Sequence, residues 1–229
     1  MIRKISPSEE NYLKAIFHST TVQNPLVSTT VLATEMQTKP SSVTDMIQRL
    51  SEKSLVNYTK YKGVSLSAAG RDSALKTIRK HRLWEVFLVD HLHFSWDAVH
   101  DIAEQLEHIH SEALTEHLDI FLGHPKTDPH GDPIPTKEGA VAVLSKTLLD
   151  RAPLHIPLIC VGVEDSSAAF LRFLDKFHIG LGVVIEIQEK EVFDGSLLIS
   201  IAGKQQRISK QIAQNLYINI KDTPFTHSK

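Results

Sequence analysis

Ser41–Leu66 reads SSVTDMIQRLSEKSLVNYTKYKGVSL, and its hydrophobic period changes halfway along. Val43, Met46, Ile47 and Leu50 recur at intervals of three and four, which predicts a helix over Ser41–Lys53. Leu55–Lys60 and Val64–Leu66 read as short β segments around Tyr61-Lys62-Gly63, where the glycine supplies the positive φ of a tight hairpin. Upstream, Gln37-Thr-Lys-Pro is a turn, and Leu26–Met36 is a short helix with Val31, Leu32 and Met36 on one face. Ser6-Pro-Ser-Glu-Glu is the start signal of a first helix carrying Tyr12, Leu13, Ile16 and Phe17. Helix, helix, turn, helix and hairpin is the order of a winged helix-turn-helix, with the hairpin as the wing.

Charge supports that reading. The 229-residue chain has a net charge of −2, yet Lys39–Arg82 holds ten Lys/Arg against three acids. A basic segment on an acidic body suits a protein that touches DNA with one end. The N-terminal end of the Ser41–Lys53 helix then places Pro40, Ser41, Ser42, Thr44 and Asp45 nearest the bases. Ser and Thr bond either donors or acceptors, and Asp45 can accept from cytosine N4, although it also suits a solvated helix face. Lys39, Lys60 and Lys62 are assigned to phosphates, which set affinity rather than sequence.

Hydrophobic residues make up 41% and charged residues 23%, a globular composition. No apolar run reaches the length of a membrane span, and Met1–Pro7 lacks the apolar core of a signal peptide. The single cysteine, Cys160, lies in the apolar run LHIPLICVGV and reads as a buried strand residue in a reducing compartment. The expected location is therefore the cytoplasm.

Beyond the hairpin, Ser67-Ala-Ala-Gly opens a long helix to about His91, and Ser95–Leu106 and Ser111–Leu122 read as an antiparallel pair. Gly123–Gly139 (GHPKTDPHGDPIPTKEG) is loop by its Pro, Gly and Asp content. From Leu154 short β runs (Leu158–Val163, Val183–Gln188, Leu197–Ile201, Tyr217–Ile220) alternate with turns, and one helix, Ser167–Phe177, is inserted. The expected organisation is α+β, mainly α. It comprises a winged helix-turn-helix over 1–66, a helical metal-binding and dimerisation domain over 67–139, a linker over 140–153 and a small β-barrel over 154–222.

Histidine and glutamate carry the chemistry. His81 and Glu85 lie four apart on the long helix and share a face. His100, Glu104, Glu107 and His108 stand at i, i+4, i+7 and i+8, one stripe at 3.6 residues per turn. One such pair suits a solvated surface. Two matched sets on helices that pack together place charge where apolar residues belong, which is costly unless a cation neutralises it. Oxygen and imidazole donors of this kind suit a divalent metal.

The stretches IRKHRLWEVFL (Ile78–Leu88) and VHDIAEQLEHIHSEAL (Val99–Leu114) resemble the diphtheria-toxin-repressor/manganese-transport-regulator (DtxR/MntR) family. Ser41–Val56 looks like its recognition helix, and HPKTDPHGDPIP (His124–Pro135) like the segment after its dimerisation helices. FLRFLDKFHIGLGVVIEI (Phe170–Ile187) resembles the SH3-like, FeoA-type domain of longer members. The resemblance implies two metal sites per subunit, one from His81, Glu85 and His100 and one from Glu104, Glu107 and His108. It also implies a ligand from the first helix, where Asn11 stands in place of the family's Asp or Met, with Glu10 a second candidate. A further acid of the manganese regulator is replaced by Lys14. Asp165, with Glu164 as the alternative, is implied as a ligand lent by the SH3-like domain to the His81 site. Glu104, where iron sensors carry Cys, completes an oxygen-and-imidazole set that favours Mn(II), with Fe(II) as the other fit.

The function expected is that of a metal-responsive homodimeric repressor, not an enzyme, with Mn(II) or Fe(II) as corepressor. It binds a palindromic double-stranded DNA operator, by family resemblance that of metal-uptake genes, and involves neither membrane nor organic cofactor. A dimer must present its two recognition helices about one DNA turn, ~34 Å, apart or a multiple of it. Two other readings stand beside it: a winged-helix regulator sensing a small organic ligand, and a metal-dependent hydrolase. The hydrolase lacks a nucleophile motif, an HExxH and a phosphate loop.

Overall fold

The computed structural model describes residues 5–60 and 62–220. Met1–Lys4, Tyr61 of the hairpin turn, and Lys221 and Asp222 of the expected C-terminal module lie outside the described residues. The chain divides into two compact units. The first holds the described residues through Trp84 with Ala103–Ile120 and Pro135–Val141, and the second holds Glu85–Ile102, Phe121–Ile134 and the residues from Ala142 onward. Among the described residues no helix is long and apolar enough to cross a membrane.

In the first unit, α1 (Pro7–Ser19) opens on a capping box: the Ser6 hydroxyl accepts from the Glu9 N–H, and the Glu9 carboxylate accepts from the Ser6 N–H. Such a cap stabilises a helix by about 1 kcal/mol. α2 (Thr29–Glu35) starts at Thr29 rather than Leu26. The cause is Val27, whose N–H and C=O both bond Val64 at 2.9 Å, an isolated bridge that holds this segment extended beside the wing. α3 (Pro40–Glu52) follows. β1 (Val56–Thr59) and β2 (Gly63–Leu66) form the antiparallel hairpin in the register Val56↔Leu66 to Thr59↔Gly63. Gly63 has φ +128°, and a Cβ there would stand 2.7 Å from the Val27 oxygen. Leu13, Ile16, Leu32, Val43, Ile47, Leu50 and Val64 are fully buried and form the core beneath these elements.

α4 (Ala68–Asp90) is the long helix the sequence predicts. It buries Ala74, Leu75 and Ile78, and also Arg79, His81 and Glu85. α5 (Val99–Leu106) begins later than expected because His93 adopts φ +58° and Ser95–Ala98 closes a turn. α6 (Glu112–Phe121) matches its expected position.

In the second unit, β3 (Thr147–Leu148), β4 (Pro157–Val163), β5 (Val184–Lys190), β6 (Leu197–Ile201), β7 (Lys204–Ile208) and β8 (Leu216–Ile220) form an antiparallel SH3-like sheet in the order β3-β8-β4-β5-β6-β7. Two helices, α7 (Ala168–Lys176) and α8 (Lys210–Ala213), are inserted. Leu158, Leu174, Ile185, Leu197, Ile199 and Leu216 are fully buried in its core. Two features differ from the sequence reading. The stretch read as linker, 140–153, carries β3 and a 3-10 turn (Leu149–Arg151), and Leu149 is fully buried. β7 escaped notice because KQQRI is an edge strand with mostly exposed polar side chains and one buried residue, Ile208.

Candidate metal centres and nucleic-acid face

The first unit gathers a cluster of charged side chains around Glu107. α5 ends at Leu106, but the Glu107 N–H still bonds the Ala103 oxygen at 2.8 Å, so Glu107 keeps its helical place. Its side chain is 0% exposed. The Lys14 ammonium donates to both of its oxygens, at 2.7 and 2.9 Å, and lies 3.7 Å from Glu104. His81 Nδ1 is 2.6 Å from Glu107 Oε2. Burial alone would raise the Glu107 carboxyl; the His81 hydrogen bond and the Lys14 charge outweigh it and hold the group below the usual carboxylate range.

Glu10, one turn before Lys14 on α1, is buried beside this cluster. Its carboxylate is 2.6 Å from His108 Nδ1, 3.7 Å from Lys80 Nζ and 3.8 Å from His110 Nδ1. Burial pulls the Lys80 ammonium below the usual lysine range, against the pull of Glu10 and Glu107. The first helix thus reaches His108 through Glu10, while the Asn11 Oδ1 is buried without a hydrogen-bond partner.

The second unit brings together Glu85, Asp128 and His130. All three are buried, and one ligand atom from each lies within 4.8 Å of the others. His130 Nδ1 is 3.7 Å from Glu85, and its Nε2 is 2.9 Å from the Trp96 carbonyl oxygen. Asp128 folds the loop by accepting from the N–H groups of His130 (2.8 Å) and Asp132 (3.0 Å). Gly131 lets this loop touch the sheet. It has φ +86°, and a Cβ there would meet the Val161 oxygen at 2.1 Å. Burial would lower the His130 pKa; the Glu85 carboxylate beside it, the Asp128 charge and the Trp96 carbonyl outweigh it and raise it to about 9. His100 Nδ1 lies 3.5 Å from Glu85 as well, with a half-exposed imidazole.

The donor chemistry fits a divalent cation: two buried carboxylates and an imidazole whose far nitrogen is held by a backbone carbonyl. The sequence reading names Glu85, in a set with His81 and His100, and misses Asp128 and His130, which lie in a Pro/Gly/Asp-rich loop without periodicity. Their signal was the Asp-x-His pair itself. Asp165 and Glu164 have other partners: Asp165 accepts from the Ser167 N–H at 2.8 Å, and Glu164 accepts from the Tyr217 hydroxyl. His81 stands one turn before Glu85 on α4, in the first unit.

The expected nucleic-acid face is open. Lys39, Pro40, Ser41, Ser42 and Asp45 are exposed at the start of α3, as are Lys60 and Lys62 on the wing; Thr44 is half-buried and bonds the Pro40 oxygen at 3.0 Å. Lys39 is the N-cap and makes no side-chain cap bond, and the start of α3 carries the positive end of the helix dipole.

Three segments of the chain match described families. Residues 4–64 match "Iron dependent repressor, N-terminal DNA binding domain", residues 67–136 match "Iron dependent repressor, metal binding and dimerisation domain", and residues 147–220 match "FeoA domain". The chain is 36% identical over 118 residues to an HTH-type transcriptional regulator of Methanocaldococcus jannaschii, covering 52% of this chain and 94% of that protein. It is 33% identical over 104 residues to the iron-dependent repressor IdeR of Mycobacterium leprae, covering 45% of each. A solved manganese-dependent transcriptional repressor in complex with manganese superposes with a TM-score of 0.80 at 32% identity, over 93% of this chain and 99% of that one.

Proposed function

Because the chain belongs to the iron-dependent repressor family of metal-dependent transcriptional repressors, we propose that it is a homodimeric repressor whose corepressor is a divalent metal ion. The family is one of regulators rather than enzymes, which leaves the hydrolase without support. The observation that carries the metal reading is the buried group of Glu85, Asp128 and His130. Two buried carboxylates brought this close to an imidazole offer a donor set that a divalent cation would complete. Glu104, Glu107 and His108 form the second proposed set, with Glu10 beside His108 and Asn11 retained as the other first-helix candidate. The all-oxygen-and-imidazole donors favour Mn(II), with Fe(II) the other fit.

In this reading the domains run 1–66, 67–139 and, because β3 and Leu149 belong to the C-terminal core, from 147 onward, with a connection over 140–146; the protein works in the cytoplasm on a palindromic operator of metal-uptake genes. Ser41, Ser42, Thr44 and Asp45 meet base edges. Lys39, Lys60 and Lys62 hold phosphates. Ordering of the metal-binding residues shifts the population toward the dimer that fits DNA.

The test is a DNA-binding titration on the upstream region of the protein's own gene, in chelator and then with Mn(II), Fe(II) or Zn(II). Binding that requires metal is expected, with Mn(II) or Fe(II) effective at the lowest concentration. Equal binding in chelator would remove metal as corepressor and favour a regulator of the organic-ligand type.

A further inference from the structure

Both oxygens of Glu107 are already taken. Oε1 accepts from Lys14 at 2.7 Å, and Oε2 accepts from Lys14 at 2.9 Å and pairs with His81 at 2.6 Å. The Glu107 side chain is 0% exposed and that of Lys14 is 16% exposed, so water does little to screen the pair. The same ammonium stands 3.7 Å from Glu104. One flexible side chain from α1 therefore holds the position that a cation bridging Glu104 and Glu107 would take.

We infer that Lys14 is an internal counter-cation of this carboxylate site, and that a divalent ion binds there only by displacing its ammonium. The inference rests on the metal-dependent reading and deepens it. A buried carboxylate needs a positive partner, and a tethered ammonium meets that need at a high effective concentration. Ammonium and divalent ion cannot share Glu107, because like charges about 4 Å apart repel strongly away from water. Lys80, 3.7 Å from Glu10, adds a second positive charge to the same neighbourhood. The group of Glu85, Asp128 and His130 differs in its donors, two carboxylates and an imidazole.

The two candidate sites are accordingly unequal. The Glu85 site fills first, and the Glu107 site fills at higher metal concentration, with Lys14 setting that threshold. The lysine also ties α1 to the end of α5 in the absence of metal, by a contact that metal entry would have to break.

The experiment is equilibrium dialysis of the full chain against Mn(II) alone, with bound metal counted per chain for the wild type, Lys14→Met, Lys14→Arg and Glu107→Gln. The wild type is expected to take one ion tightly and a second weakly. Lys14→Met, which keeps the length and removes the charge, should tighten the second ion by about tenfold or more. Lys14→Arg keeps the charge and should leave it weak. Glu107→Gln should abolish the weak ion and spare the tight one, which keeps the inference testable should Lys14→Met fail to fold. An unchanged or weaker second ion in folded Lys14→Met overturns the inference, as does loss of the tight ion in Glu107→Gln. Absence of bound Mn(II) in both the wild type and Lys14→Met overturns instead the metal-dependent reading beneath it.

Discussion

His130 donates its Nε2–H to the Trp96 carbonyl oxygen, 2.9 Å away, and that bond leaves Nδ1 to face Glu85 at 3.7 Å. The backbone of one segment thus orients an imidazole of another, as in metal-binding histidines whose far nitrogen is anchored. In metal-free protein the same geometry makes His130 a buried cation, with its pKa raised to about 9 from the usual 6.5.

Because the folded pKa is the higher one, the folded chain binds the extra proton between about pH 6.5 and 9. The stabilisation is fully present below pH 6.5 and is lost as pH rises through about 9, by roughly 3 kcal/mol at most. Thermal unfolding in chelator should show a Tm that falls across this window, and His130→Gln should flatten the fall. Bound metal requires a neutral imidazole, so Mn(II) affinity should change in the opposite sense and rise with pH. A Tm independent of pH, identical in the variant, would remove His130 from this role.

Gly131 sits between His130 and the strand it leans on. Ala at this position would meet the Val161 oxygen at 2.1 Å and the Gly162 Cα at 2.4 Å, on a backbone with φ +86°. Gly131→Ala should cost more than about 1 kcal/mol in urea unfolding and should weaken Mn(II) binding together with stability. Gly123→Ala provides the comparison: its φ is +73° but its Cβ meets nothing within 4 Å, so its metal affinity should stay at the wild-type level.

What the sequence shows and what it hides divides along physical lines. Val43, Met46, Ile47 and Leu50 announce α3 because a helix has to bury one face, and the same periodicity locates α1 and α4. The start of α2 is hidden because Val27 is fixed by Val64, a partner 37 positions away that no local window contains. His81, Glu85, Glu104, Glu107 and His108 are legible because helical spacing groups them. Asp128 and His130 are not, because their convergence on Glu85 depends on how a loop crosses the sheet. Lys14 is visible only as a residue out of place; its contact with Glu107, 93 positions on, requires the fold.

Cys160 on β4 is buried, and burial pushes its thiol up to about 11, against an opposing contribution from the Gly162 backbone. At pH 8 almost none of it is the nucleophilic thiolate. Iodoacetamide should label the native chain far more slowly than the urea-unfolded one, at a rate set by opening of the C-terminal sheet. Equal labelling rates in the two states would contradict the burial of β4.

Lys62 is exposed on the wing, two residues after exposed Lys60 and next to Gly63, whose backbone is fixed against Val27. A lysine there acts as a point charge toward phosphate and carries no base information. Lys62→Ala should therefore weaken binding to operator and to unrelated duplex by similar factors. It should also reduce the slope of log affinity against log salt by about 1. Ser42→Ala, at the exposed start of α3, should act in the opposite way, lowering preference for the operator while leaving the salt slope unchanged. Fluorescence anisotropy over a series of salt concentrations, with both duplexes, separates the two effects. If Lys62→Ala lost affinity for the operator alone, the wing would be reading bases, and the division of labour between wing and helix would have to be reassigned.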